Sequence, residues 1–256
     1  GNTFDIHGGG MDLLFPHHEC EIAQTTAAFG QPAVRYWVHN NMITINGQKM
    51  ARSLKNFITL EELFTGTHQL LEEAYSPMSV RFFILQAHYR STLDFSNQAL
   101  QAAAKGLRRL MTGIRTLNSL KPDNASSIEV KSIISKCYEA MNDDMNTPIL
   151  ISHLFDGVRL INAVKDGNEQ IDAASLERLK QLYQAMTFDI LGLIDESEHS
   201  KHADLQHDLI EMILTIRQEA KQKKDFATAD AIRDRLNNMG VVVKDRKDGF
   251  DWELPG

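Results

Sequence analysis

Three clusters of residues able to do chemistry lie close together near the start of the chain. The first is His7-Gly8-Gly9-Gly10, followed by Met11-Asp12. Glycines let backbone approach a ligand closely, and a carboxylate just beyond can hold a ribose hydroxyl, as at nucleotide sites of open α/β sheets. The spacing is not the dinucleotide fingerprint, so a flexible glycine turn is the competing reading. The second is Pro16-His17-His18-Glu19-Cys20-Glu21. On a helix, His17 and Glu21 share a face four residues apart and suit one metal ion, zinc by ligand type, with Cys20 a further donor and His18 turned aside. A helix start with a charged first turn is the alternative. The third runs from Lys49 to Asn56, after Asn46-Gly47. Lys49, Arg52 and Lys55 in a loop at a sheet edge suit triphosphate oxygens, lysine as a point charge and arginine as a fork; a solvated basic loop is the alternative.

These clusters need elements to position them. Thr3 to His7 reads as a strand, Glu19 to Phe29 as a helix and Tyr36 to Ile45 as a second strand, a βαβ unit with a parallel pair. Two strands make no stable sheet, so the unit reads as the end of a doubly wound domain. After Thr59 the periodicity is helical: helices are expected over Glu61 to Phe64, Ser79 to His88, Asn97 to Leu120, Ser127 to Met141, Thr147 to Val164, Ala174 to Leu191, Leu205 to Lys223 and Ala227 to Asn238. Lys121 to Asn124 is a polar turn. Glu196 to His202 reads as a linker to a terminal module of two helices and a hairpin, Val241 to Val243 with Gly249 to Leu254.

The 256 residues are 43% hydrophobic and carry a net charge of −7, values of an ordinary globular protein. The most apolar run, Phe82 to Leu85, stops at Gln86, far short of a membrane span. The two cysteines, Cys20 and Cys137, exclude a disulfide scaffold and suit a reducing cytoplasm. The acidic balance argues against non-specific nucleic-acid binding. It leaves two local basic faces, Lys105 with Arg108, Arg109 and Arg115, and Arg217 with Lys221, Lys223 and Lys224, for which a solvated helix face is the favoured reading. A start at Gly1-Asn2, with no secretory signal, reads as a chain cut from something longer.

Taken in order, the three clusters resemble the second half of a class I aminoacyl-tRNA synthetase, and in detail the cysteinyl-tRNA synthetase family. The resemblance runs the whole chain: Phe4 to Gly10 with Asp12-Leu13, Phe15 to Glu19 with Glu21 to Gln24, a Lys-Met-Ser-Lys-Ser signature loop here as Lys49 to Ser53, His88-Tyr89-Arg90-Ser91, and Asn142 to Pro148. It closes with Lys224 to Ala227, Ala229-Asp230, Ile232 to Asp234, Asp245 and Trp252. It implies an α/β remnant, the second half of a class I Rossmann-like catalytic domain, followed by an all-α helical bundle and a small α+β C-terminal module. Residues 1–58 would be the C-terminal part of the catalytic domain, 59–95 a connecting stem-contact region, 96–196 the tRNA-binding bundle and 197–256 the anticodon-recognition module.

The family activates cysteine with ATP and Mg2+ and esterifies it onto tRNA(Cys), reading the substrate thiol with one zinc ion. By resemblance His17 and Glu21 are two of the four zinc ligands, the other two being cysteines earlier in the family's chain. His7, Gly9, Gly10 and Asp12 line the adenylate site, and Lys49 and Arg52 match the two catalytic lysines of the signature loop. Arg217, Lys221, Lys224, Arg233, Asp245 and Trp252 are candidate tRNA contacts. Three positions depart from the family's pattern: Arg52 replaces a lysine, Lys55 stands where glycine is common, and Cys20 where asparagine is usual. The His-Ile-Gly-His-type ATP motif would also lie before Gly1, so the chain by itself is expected to be inactive, and a monomer. Two alternatives stand beside this reading: a related ATP-dependent cysteine ligase with a small amine acceptor, against which the tail from Arg217 to Trp252 argues, and a stand-alone tRNA-binding helical protein with a vestigial site.

Overall fold

The computed structural model describes residues 3–196, 209, 210, 212–221, 223, 225–239, 241–246 and 249–253. The chain forms two compact units, Gly1–Ile194 and Asp195–Gly256.

The first unit opens with the expected βαβ element. Strand β1 (Phe4–Gly10) pairs in parallel with β2 (Val34–Asn40) through helix α1 (Glu19–Phe29), which Gly30 ends in the left-handed conformation at φ 68°. Two expectations are corrected here. The strand expected over Thr3 to His7 runs on to Gly10, with Gly8, Gly9 and Gly10 opposite Val38, His39 and Asn40, so the competing reading of the glycines as a turn does not hold. The second strand does not run on to Ile45: it stops at Asn40, and Ile43–Ile45 is a separate strand, β3, in another sheet. The break has a local cause, because Asn41 turns its backbone N–H to the Tyr89 carbonyl and caps the Met42 N–H with its own Oδ1.

In the second sheet β3 is central, antiparallel to β4 (Gln48–Lys49) and parallel to β5 (Leu93–Phe95). Asn46 and Gly47, at φ 49° and 78°, supply the two positive angles that the β3–β4 hairpin turn requires. Asp94 Oδ1 fastens that turn by accepting bonds from Thr44 Oγ1 (2.6 Å) and the Gly47 N–H (2.7 Å).

The bundle follows: α2 (Leu60–Thr65), α3 (Pro77–Leu85), α4 (Asn97–Ser119), α5 (Val130–Asn142), α6 (Thr147–Lys165) and α7 (Ala173–Tyr183), the last continuing as a wider turn to Ile190. Thr59 and Glu62 form a capping box at α2, and Ser96, Asn146 and Asp172 cap α4, α6 and α7 through side-chain oxygens. Leu100, Ala103, Leu107, Leu110, Ile114 and Leu117 recur at helical spacing along α4 and are buried against Leu150, Leu154, Val158 and Ile161 of α6. Gly113 permits the contact, since a Cβ there would stand 2.7 Å from Val158.

In the second unit, helix α8 (helical residues 209–210 and 212–221) and helix α9 (Phe226–Asn238) precede the antiparallel hairpin β6 (Val242–Arg246) and β7 (Gly249–Glu253). Ile210, Leu214, Leu236 and Val241 form its small core. The expected linker at 196–202 lies almost entirely outside the described residues.

Candidate adenylate and metal site

Alternation along β1 and β2 puts His7 and Gly9 on one face beside their partners Trp37 and His39. The His7 ring stacks on Trp37 with centroids 4.7 Å apart, and His18 lies 4.9 Å from His7 and 4.7 Å from Trp37. His18 is 2% exposed, and its Nδ1 is 2.8 Å from His39 Nε2. Burial lowers its pKa, and neighbouring His7, His39 and His17 push the same way against the opposing pull of Glu21. Gly9 is required by close approach, because a Cβ there would stand 2.6 Å from His18 Cε1. A Cβ on Gly10 would strike the Asp12 side chain, so Asp12 folds back over the carboxyl end of β1. His7, Gly9, Gly10 and Asp12 therefore share one sheet edge.

The helical spacing brings His17 and Glu21 together, with Nε2 and Oε1 3.1 Å apart. Two ligands of one tetrahedral zinc ion, each about 2.0–2.1 Å from it, lie about 3.3 Å from one another. The other Glu21 oxygen is 3.7 Å from His7 Nδ1, a buried atom with no hydrogen-bond partner. An orphaned imidazole nitrogen aimed at a carboxylate fits a cation between them. The expectation that His18 turns aside is corrected. His7, His18 and Glu21 each bring a ligand atom within 4.8 Å of the others, while His17 is the exposed member of the pair. The reason is local: residues Leu14–His18 form a wide turn, and the regular helix begins only at Glu19. Cys20 is exposed and stands outside this donor group.

Lys49 ends β4, and Arg52 opens the short helical turn Arg52–Leu54. Both belong to the β3–β4–β5 side of the unit and not to the sheet that carries His7. The Arg52 guanidinium lies 5.3 Å from the Phe57 ring centroid, a cation–π contact. Lys55 closes the turn at φ 54°, a left-handed angle that glycine adopts without a Cβ penalty. Sequence reasoning missed Asn56. Its buried side chain accepts from the Ala51 N–H (2.9 Å) and donates to the Lys49 carbonyl (3.0 Å), tying both arms of the loop.

In the second unit one expectation fails. Arg217 is 2% exposed and donates from Nε to the Ala229 carbonyl at 3.2 Å, so it braces α8 against α9 and offers no phosphate contact. Arg233 remains on the surface, paired with Asp230 (3.3 Å) and Asp234 (3.5 Å), and Lys221 is half-buried. Asp245 faces Phe250 and Trp252 faces Val243 across the β6–β7 ladder; their side chains, and the whole of Lys224, lie outside the described residues.

Comparison with known proteins decides what this arrangement belongs to. Residues 1–105 match the tRNA synthetases class I (C) catalytic domain, 136–195 the DALR domain, and 207–252 the cysteinyl-tRNA ligase anticodon binding domain. The cysteine–tRNA ligase of Bacteroides fragilis is 57% identical over 255 residues, covering 99% of this chain and 52% of its own length. That of Porphyromonas gingivalis is 55% identical over the same shares. The chain belongs to the cysteinyl-tRNA synthetase family.

It spans about half the length of these cysteinyl-tRNA synthetase relatives. A further likeness, in fold alone, is to LeuRS in a LeuRS–tRNA–LeuAMS complex from Agrobacterium radiobacter K84, with a TM-score of 0.51 and 15% identity over 70% of this chain and 25% of that one. Within the family frame, the catalytic-domain match contains all three clusters of chemical residues, and the anticodon-domain match contains α8, α9 and all of the hairpin but its last residue. Among the described residues no helix is long and apolar enough to cross a membrane.

Proposed function

We propose that this chain is the signature-loop half of a cytoplasmic, monomeric cysteinyl-tRNA synthetase that activates cysteine with ATP and Mg2+ and transfers it to tRNA(Cys). The cysteine carboxylate attacks the α-phosphorus of ATP, pyrophosphate leaves, and the terminal ribose hydroxyl of tRNA(Cys) then displaces AMP from the carbonyl. Gly9, Gly10 and Asp12 receive the adenosine side along the strand end, with His7 packed behind them on Trp37. Lys49 and Arg52 neutralise phosphate charge as pyrophosphate departs, an effect largest in the transition state. His17 and Glu21 supply two zinc ligands, with Glu21 also orienting His7. Bound zinc gives the pocket a soft Lewis acid that prefers a thiolate to a serine hydroxyl, a discrimination that apolar contacts cannot provide. Residues 1–58, 59–95, 96–196 and 197–256 serve as catalytic half, stem contact, bundle and anticodon module, with Lys221, Lys224, Arg233, Asp245 and Trp252 as the tail's tRNA contacts.

The observation that carries this reading is the identity of 57% running through the catalytic, bundle and anticodon portions in one order. Neither alternative explains it: a small-amine ligase has no use for an anticodon domain, and a vestigial site has no reason to keep Glu21 facing both His17 and His7. The test is charging. Joined to the amino-terminal half of the Bacteroides fragilis enzyme, the chain should esterify labelled cysteine onto tRNA(Cys), and not serine; a joined protein that folds and charges neither would count against the reading.

A further inference from the structure

Two segments far apart in sequence, His88-Tyr89-Arg90 and Asp143-Asp144-Met145, have no part in the chemistry above, yet they meet. Asp144 Oδ1 accepts from the Tyr89 hydroxyl at 2.6 Å, and Oδ2 accepts from Arg90 Nε at 2.9 Å with His88 Nε2 3.9 Å away. Arg90 Nε also donates to the Tyr89 oxygen, and the His88 and Tyr89 rings stack at 4.8 Å. The bond to Tyr89 and the Asp144 carboxylate raise the pKa of Arg90. Asp144 and Met145 hold φ of 54° and 55°, two consecutive non-glycine residues in the left-handed region. Such angles cost free energy and persist where surrounding contacts over-determine them, commonly at clamps and switches.

The clamped segment grips the catalytic sheet in turn. Asn41 donates its backbone N–H to the Tyr89 carbonyl (2.9 Å) and its side-chain Nδ2 to the Arg90 carbonyl (3.0 Å). Asn41 directly follows Asn40, the ladder partner of Gly10 at the carboxyl end of β1. A continuous line of hydrogen bonds and ladder pairing thus runs from the turn between α5 and α6 to the glycines of the candidate adenylate site. We propose that Asp144 is a positioning residue: it fixes the His88–Arg90 segment and, through Asn41, the carboxyl end of β2 against which Gly10 is registered. Its consequence for ATP rests on the function proposed above; the clamp itself does not.

Amide hydrogen exchange on the full chain tests it, using Asp144→Gly. Glycine tolerates the left-handed angle without strain, so a merely structural role would leave this variant as stable as the parent and its sheet unchanged. The clamp predicts exchange at the Asn41 N–H at least tenfold faster than in the parent, with the Leu110 and Ile114 amides inside α4 unaffected. Asp144→Asn, which keeps an oxygen for Tyr89 and drops the charge facing Arg90, should give a smaller acceleration at the same amide, and it decides the question if the glycine variant does not fold. Unchanged exchange at Asn41 would overturn the proposal, as would acceleration matched by equal acceleration in α4, which is general loosening. In the joined protein the clamp further predicts weaker ATP binding for Asp144→Gly. A parent joined protein that binds no ATP would instead count against the nucleotide reading, with the clamp still decided by exchange.

Discussion

Lys55 holds a left-handed backbone angle in the loop from Lys49 to Asn56, and that angle carries a cost. At φ 54° a lysine bears a Cβ penalty that glycine does not, partly offset by glycine's greater loss of chain entropy on folding. Lys55→Gly should therefore raise stability by about 0.5 kcal/mol in urea unfolding; a lower midpoint would mean that the Lys55 side chain makes a compensating contact. The two thiols should separate just as cleanly. Cys20 is exposed, whereas burial pushes the Cys137 thiol up to about 12. Iodoacetamide at pH 8 should add one group to the folded chain, at Cys20, and a second only on unfolding; early loss of Cys137 would mean an open bundle. At this scale the sequence was a good guide to His17 with Glu21, which meet four residues apart even though the regular helix begins only at Glu19. It was a poor guide where tertiary contacts choose. His18 turns inward because β1 and β2 bring His7, Trp37 and His39 to it, and Arg217 is buried because α9 offers it the Ala229 carbonyl. Trp37 and His39 lie two apart within the expected strand, so period-two alternation sets them on one face; Asp144 stands in the Asn142 to Pro148 stretch, but nothing in the sequence pairs it with Tyr89 and Arg90.

Among elements, helices with a clear apolar stripe lie where periodicity puts them. Helices α4 and α6 match within a residue or two at each end, with Ser96 and Asn146 as their caps. Short strands were invisible: β4 has two residues and β5 three, too few for an alternation to show, and their pairing depends on β3 being delivered between them. The glycine run left a turn open beside the strand for a related reason, since three glycines signal a turn locally while the ladder to β2 makes them a strand. Caps give this scale its prediction. Asp172 accepts from the Ser175 N–H at 2.7 Å, and that bond is the main cause of its lowered pKa. A carboxylate whose folded pKa lies below its unfolded value contributes stability that is present above the unfolded value and lost as pH falls through the folded one. Asp172→Ala should lower the thermal midpoint by a few degrees at pH 7 and by progressively less below about pH 4, where the parent loses the same interaction. A deficit that stays constant into acid would mean that the cap acts by shape alone.

Over the whole molecule, the first unit leaves an apolar strand face uncovered, with Ile6 66% and Tyr36 68% exposed, opposite the face that carries His7 and Trp37. A two-stranded sheet with one bare apolar face is marginal by itself. Together with a chain that spans about half the length of its relatives, this makes assembly with the other half of a class I catalytic domain the central claim. Cysteine-dependent exchange of pyrophosphate into ATP measures that claim most directly. The chain by itself should show none above background; joined to the amino-terminal half of the Bacteroides fragilis enzyme it should gain exchange, and Arg52→Ala in the joined protein should reduce the rate by about 100-fold or more with a small effect on cysteine affinity. Cysteine-dependent exchange by the chain alone, or a folded joined protein with none, would contradict the account.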